Sequence, residues 1–158
     1  MNGEAKIINR IVTSVADAVD TYNEYDKYMG LAEIDTLRFV VSNTTEAGIV
    51  YDDTDKFELE PPKTFPGKLT KFLYHRFETF KGDMSKGLVM LPVELIDDNG
   101  IMLKKCVMQL IELWGLGDEF KKWVDEEYAG GRVTVLTDDE IVACVNRICL
   151  EKNLKIGE

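Results

Sequence analysis

Residues 37–48 read LRFVVSNTTEAG, an apolar run that stops abruptly in small polar residues and a glycine. Leu37, Phe39, Val40 and Val41 offer no polar face, which is the composition of a strand covered on both sides. Ser42, Asn43, Thr44 and Thr45 then suit a loop leaving the strand's carboxyl end, the place where open α/β sheets bind ligands. Residues 88–100, LVMLPVELIDDNG, repeat the design, with Glu94 and then Asp97, Asp98, Asn99 and Gly100 after the apolar run. The pair predicts neighbouring central strands whose polar tips line one crevice.

The remaining chain supplies helices between strands. Ala5–Val15 (AKIINRIVTSV) reads as a strand, at an edge because of Asn9 and Arg10. Asn23 is a candidate cap for a helix to Ile34 with Tyr25, Tyr28, Met29, Leu31 and Ala32 on its stripe. Ala47–Tyr51 extends the backbone again, and the acidic stretch Asp52–Pro62 reads as an exposed loop. Pro66 has the position of a first-turn proline behind Thr64 or Phe65, and its helix places Leu69, Phe72, Leu73, Phe77 and Phe80 on one face. After a turn over Lys81–Lys86 and the second strand, Asp98 or Asn99 caps a helix with Leu103, Val107, Leu110, Ile111 and Trp114 inward. Gly115–Gly117 breaks it, and Asp118–Tyr128 forms another amphipathic helix through Phe120, Trp123 and Val124. Strands alternating with helices of this length indicate an α/β fold with a mostly parallel sheet and flanking helices. Beyond Tyr128 the character changes: Arg132–Leu136 is strand-like, Thr137–Glu140 is a capping box, and a last helix buries Ile141, Val145, Ile148 and Cys149.

Composition narrows the partners. The net charge of −10 over 158 residues argues against nucleic acid, which needs clustered Lys and Arg. No apolar run approaches the ~20 residues of a membrane span, and no signal peptide is visible, so a cytoplasmic protein is expected. Three cysteines without CxxC spacing give neither a disulfide framework nor a zinc site. Asp52, Asp53 and Asp55 lack the glycine and distal glutamate of a calcium loop and read as a solvated turn. His75, the single histidine, has no partner placed by spacing and reads as a surface or structural residue.

Three ordered blocks carry a family resemblance: SNTTEAGI (42–49), FPGKLTKFLYHRF (65–77) and KGLVMLPVELIDDNGIMLKK (86–105). Together they resemble the polyol-type long-chain dehydrogenases that include mannitol dehydrogenase, and among them the tagaturonate reductases (altronate oxidoreductases), over about residues 2–126. The resemblance implies a partial Rossmann-type nucleotide-binding domain over 1–127, followed by a divergent strand–helix tail over 128–158. It also implies NAD as cofactor, no metal, and a sugar acid substrate. The implied reaction is the interconversion of D-tagaturonate and D-altronate by hydride transfer. The family's glycine-rich phosphate loop and its helical domain with the catalytic lysine are not matched here. The chain therefore reads as part of such an enzyme, without turnover of its own.

Thr45-Glu46-Ala47-Gly48 resembles the family's Thr-Glu-Gly-Gly segment along the bound dinucleotide. The resemblance makes Ser42, Thr45, Glu46 and Gly48 candidate cofactor-binding residues. Hydroxyls can bond ribose or carboxamide groups, and glycine lets a backbone approach closely; on the residues alone, capping of the next turn is the favoured reading of Thr45 and Glu46, and the resemblance reverses it. Glu94 is the candidate catalytic residue, since a carboxylate at the end of an apolar strand is costly unless it is paired or faces a crevice. Mannitol dehydrogenase carries at the matching strand end an asparagine that polarises the substrate oxygen, where this chain has Glu94 and Leu95. Asn99 and Gly100 match the family's Asn-Gly, but a helix cap and turn is the better reading of both. The competing reading is a non-catalytic α/β module that self-associates through an open sheet edge and an apolar face.

Overall fold

The computed structural model describes residues 11, 13–45, 47–125 and 134–135. The first apolar run forms β1 (Phe39–Ser42) and the second forms β2 (Val89–Pro92). They pair parallel, with Phe39 opposite Val89 and Ser42 opposite Pro92, so the two polar loops leave from the same end. A third strand, β3 (Thr134–Val135), pairs parallel with the other side of β2, giving the order β1-β2-β3. It falls inside the strand expected over 132–136. The capping box and last helix of the sequence reading lie outside the described residues.

β1 differs from expectation in one respect. It is an edge of the described sheet rather than a central strand, and Phe39 and Val41 are 43% and 63% exposed. Successive strand side chains point to opposite faces, and only the face carrying Val40 and Ser42 packs inward. A uniformly apolar run does not by itself say how many faces are covered.

The described helices follow the apolar stripes. α1 (Tyr25–Gly30) runs into a 3₁₀ turn at Leu31–Glu33. Asn23 does not cap it: the helix starts one residue too late, Glu24 holds the cap position, and the Asn23 amide donates instead to Asp20 Oδ2 at 2.7 Å. α2 (Phe65–Thr79) has Thr64 as its cap, with Thr64 Oγ1 accepting from the Gly67 amide at 2.9 Å and Pro66 in the first turn, where its missing N–H costs nothing. α3 (Asn99–Leu113) and α4 (Asp118–Asp125) are separated by Gly115 and Gly117, whose φ values of 62° and 90° end the helical path. Leu69 and Leu73 of α2, Leu103, Val107 and Ile111 of α3, Phe120 and Trp123 of α4, and Leu88 and Met90 beside and within β2 form one core. Its aromatic part is tight, with the Phe77 ring centroid 5.3 Å from Phe120 and 5.8 Å from Trp123. Of the strand expected over Ala5–Val15, residues 11 and 13–15 are irregular, with Ile11 and Val15 exposed, and the rest lies outside the described residues. Residues 47–51 are turn, bend and coil rather than strand, and Ile49 drops into the core.

Two buried charges tie the irregular segments to this core. Asp55 is 1% exposed and not the solvated residue the acidic run suggested. Its carboxylate accepts from the amides of Lys63 and Thr64, both at 2.9 Å, and from Thr64 Oγ1 at 2.8 Å. Three donors replace the water that a buried carboxylate gives up. Arg76, fully buried on α2, donates from Nε to the Lys86 carbonyl, from one terminal nitrogen to Ala32 and Ile34, and from the other to Leu37. Burial lowers its pKa, and a guanidinium so bonded stays charged. No described helix is long and apolar enough to cross a membrane.

Candidate functional site

The parallel register places the ends of β1 and β2 side by side, and the chemistry of the two loops meets there. After Ser42, which faces Pro92, the chain turns so that Thr44 lies over Glu94. Glu94 Oε1 accepts from the Thr44 amide at 3.2 Å and from Thr44 Oγ1 at 3.1 Å, across fifty positions of sequence. The Val93 amide donates to the Ser42 carbonyl at 2.9 Å, carrying the ladder one step past β2.

Glu94 itself is 4% exposed. Its second oxygen, Oε2, and the nearby Ser42 Oγ are buried without a completed hydrogen bond. Burial raises the pKa of Glu94, but the Ser42 hydroxyl, the amides of Glu94 and Thr44, and the Thr44 hydroxyl together outweigh it. The carboxyl is therefore held below its ordinary value and is ionised at neutral pH. The residue expected to face substrate thus turns its carboxylate inward, onto the neighbouring loop.

The backbone beneath Glu94 is braced from α3. Asn99 Nδ2 donates to the carbonyls of Pro92 at 3.0 Å and Glu94 at 3.2 Å, while the Ile96 amide returns to the Glu94 carbonyl at 2.9 Å. Asp98, just before α3, adopts φ 53°, a left-handed conformation that Asp tolerates better than most residues. Asn99 does more than begin a helix.

Gly48 closes the other side of the loop. A Cβ at this position would land on the Thr44 side chain, so the glycine makes room for Thr44, and the Gly48 amide donates to the Thr45 carbonyl at 2.7 Å. Thr45 is exposed. Glu46 lies outside the described residues. Ser42, Gly48 and Glu94 are thus drawn together around Thr44, a residue the sequence reading placed in the loop without assigning it a role. Its signal was a hydroxyl residue two positions past a strand end, opposite a strand-end carboxylate.

The other polar candidates stand in structural positions. His75 Nε2 meets Glu33 Oε1 at 2.8 Å on the surface. Cys106 is buried, and burial raises its thiol pKa. Among the described residues no group of three or more His, Cys, Asp or Glu converges as a metal site.

Comparison with known proteins matches residues 2–156 to the mannitol dehydrogenase Rossmann domain. The altronate oxidoreductase of Bacillus subtilis is 47% identical over 125 residues, which is 79% of this chain and 26% of that protein. That of Bacteroides thetaiotaomicron is 42% identical over 163 residues, covering 97% of this chain and 34% of the relative. The altronate oxidoreductase of Yersinia enterocolitica is 44% identical over 124 residues, 78% of this chain and 26% of its own length. The chain therefore spans about a quarter to a third of the length of these curated relatives. No solved structure matches it.

Proposed function

Because the chain belongs to the mannitol dehydrogenase Rossmann domain family, we propose that it is the dinucleotide-side part of an NAD-dependent oxidoreductase that interconverts D-tagaturonate and D-altronate. The observation that carries this reading is the meeting of Ser42, Thr44 and Glu94 at the carboxyl ends of two adjacent parallel strands. That is where a sheet of this kind receives its ligand. The names of the relatives, altronate oxidoreductases from several bacteria, support the sugar acid.

The residues present suit a dinucleotide. An exposed Thr45 hydroxyl is the kind of donor and acceptor that ribose and carboxamide groups take. In this reading Ser42, Thr45, Glu46 and Gly48 form the wall along NAD, and Glu94 lies behind it. A nicotinamide, when bound, supplies the hydride chemistry, and the protein's share is to orient it and exclude water. Residues 1–127 are then part of the nucleotide-binding domain, with 128–158 as a strand–helix tail whose strand joins the same sheet.

Titration of the 158-residue chain with NADH, followed by the nicotinamide fluorescence, tests this. A micromolar dissociation constant supports the reading, and no response removes it. A second reading has its own observation. Phe39 and Val41 on β1, the open edge strand, and Val93 and Leu95 just after β2 are all at least 43% exposed, an apolar surface that favours pairing with another copy. If NADH elicits no response and sedimentation gives a dimer, a self-assembling, non-catalytic module is the better description.

A further inference from the structure

We propose that Glu94 is a positioning residue: its carboxylate holds the loop leaving β1 in one shape by gripping both hydrogen-bond donors of Thr44. The inference rests on the reading above only for what that loop faces, and the loop's own geometry stands apart from it.

Four contacts in series make the grip. Asn99, at the start of α3, fixes the carbonyls of Pro92 and Glu94. Glu94 Oε1 then takes the Thr44 amide and hydroxyl together. Thr44, so held, fills the space over Gly48 where a side chain would stand. Finally, the Gly48 amide closes the turn onto the Thr45 carbonyl. A carboxylate that is 4% exposed, with its second oxygen also buried, is poorly placed to meet a substrate. It is well placed to fix a backbone, because hydrogen bonds to a charged acceptor are about twice as strong as neutral ones. The arrangement links the carboxyl ends of two strands that pair in a parallel ladder. A loop of small polar residues with one glycine would otherwise sample many shapes, and a ligand would have to select among them.

Amide hydrogen exchange by NMR on the 158-residue chain tests the grip, with NADH titration run in parallel. In Glu94→Ala the amides of Thr44 and Gly48 are expected to exchange about tenfold faster or more, while core amides such as Leu73 and Leu110 keep their rates. Glu94→Gln retains an acceptor oxygen of the same reach and should restore most of the protection. Thr44→Val, which loses the hydroxyl but keeps the amide, should fall between them and serves if the alanine variant does not fold. Unchanged loop rates in Glu94→Ala, or in Thr44→Val where the alanine variant is unfolded, overturn the proposal. So does equal acceleration of loop and core, since that is general destabilisation. If the chain binds NADH, Glu94→Ala should weaken binding by about tenfold and Glu94→Gln by far less. Equal affinity in all three would show that the loop's shape is irrelevant to the ligand, and would overturn the positioning role. If the chain does not bind NADH, the cofactor reading fails, and the exchange rates alone decide whether Glu94 holds the loop.

Discussion

Replacing Arg76 by methionine should cost this domain a large part of its stability. The side chain is fully buried, and its guanidinium donates four hydrogen bonds, at 2.6, 2.8, 2.9 and 3.1 Å, to carbonyls of Lys86, Ala32, Ile34 and Leu37. These acceptors belong to the turn before β2, the segment after α1 and the approach to β1. Methionine fills similar volume but leaves four carbonyls without that donor. A buried acceptor that loses its partner costs about 1–3 kcal/mol. Against this, the folded protein no longer has to desolvate a guanidinium, a penalty of several kcal/mol. Removing one partner from a buried charged network typically nets about 3–5 kcal/mol of destabilisation, and that range is the expectation here. Domains of this size have about 5–15 kcal/mol in all. With a urea slope of about 2 kcal/mol per molar, the midpoint should fall by roughly 1.5–2.5 M. Fluorescence of Trp123, buried against Phe77 and Phe120, follows the transition. Arg76→Lys should recover only part of the loss, because a single ammonium cannot reproduce a planar fork reaching three segments. A methionine variant within about 1 kcal/mol of the parent would refute the claim that Arg76 clamps them.

Further predictions address the loop and its supports. Asp55→Asn keeps one acceptor oxygen but loses the charge that Lys63, Thr64 and the Thr64 hydroxyl converge on, and should lower stability by about 2 kcal/mol in the same urea assay. Gly48→Ala sets a methyl against the Thr44 side chain and should displace it from Glu94, destabilising by about 1–3 kcal/mol and shifting the Thr44 amide resonance. The folded-state pKa of Glu94 is depressed from 4.5, so its contribution is present above the unfolded value and is lost as pH falls through the folded one. The gap in urea midpoint between the parent and Glu94→Gln should therefore be larger at pH 7 than at pH 3. An unchanged gap would mean the carboxylate's charge does nothing for the fold.

Periodicity made the helices legible. The stripe through Leu103, Val107 and Ile111 is the buried face of α3, and Thr64 with Pro66 marks the start of α2 as the residues suggest. The parallel pairing of the two apolar runs was also legible, because both end in the same kind of polar loop. What escaped the sequence depends on partners distant in the chain. Arg76 looks like an exposed helical charge until carbonyls 39 to 44 positions away arrive around it. Asp55 looks solvated until the chain folds back eight and nine residues later to present two amides. Asn23 has the right chemistry for a cap but the wrong phase, by one residue. At the site, the polar character of both strand ends was readable. Which oxygen met which hydroxyl was not, because one residue of register decides whether Thr44 or Thr45 lies over Glu94.

These observations converge on how β1 is held. Two of its four side chains, Phe39 and Val41, stand substantially exposed, so packing contributes less to its position than to that of the helices. Its backbone pairs with β2 on one side only among the described strands. What fixes it instead are its ends: Arg76 grips the Leu37 carbonyl just before the strand, and Glu94 grips Thr44 just after it. A strand secured at both ends keeps a well-defined tip even where its outer face is bare. A ligand resting there would then meet a loop already in shape, and the free energy of ordering it would have been met in folding rather than in binding. Two charged side chains, Arg76 and Glu94, thus hold β1 at its two ends.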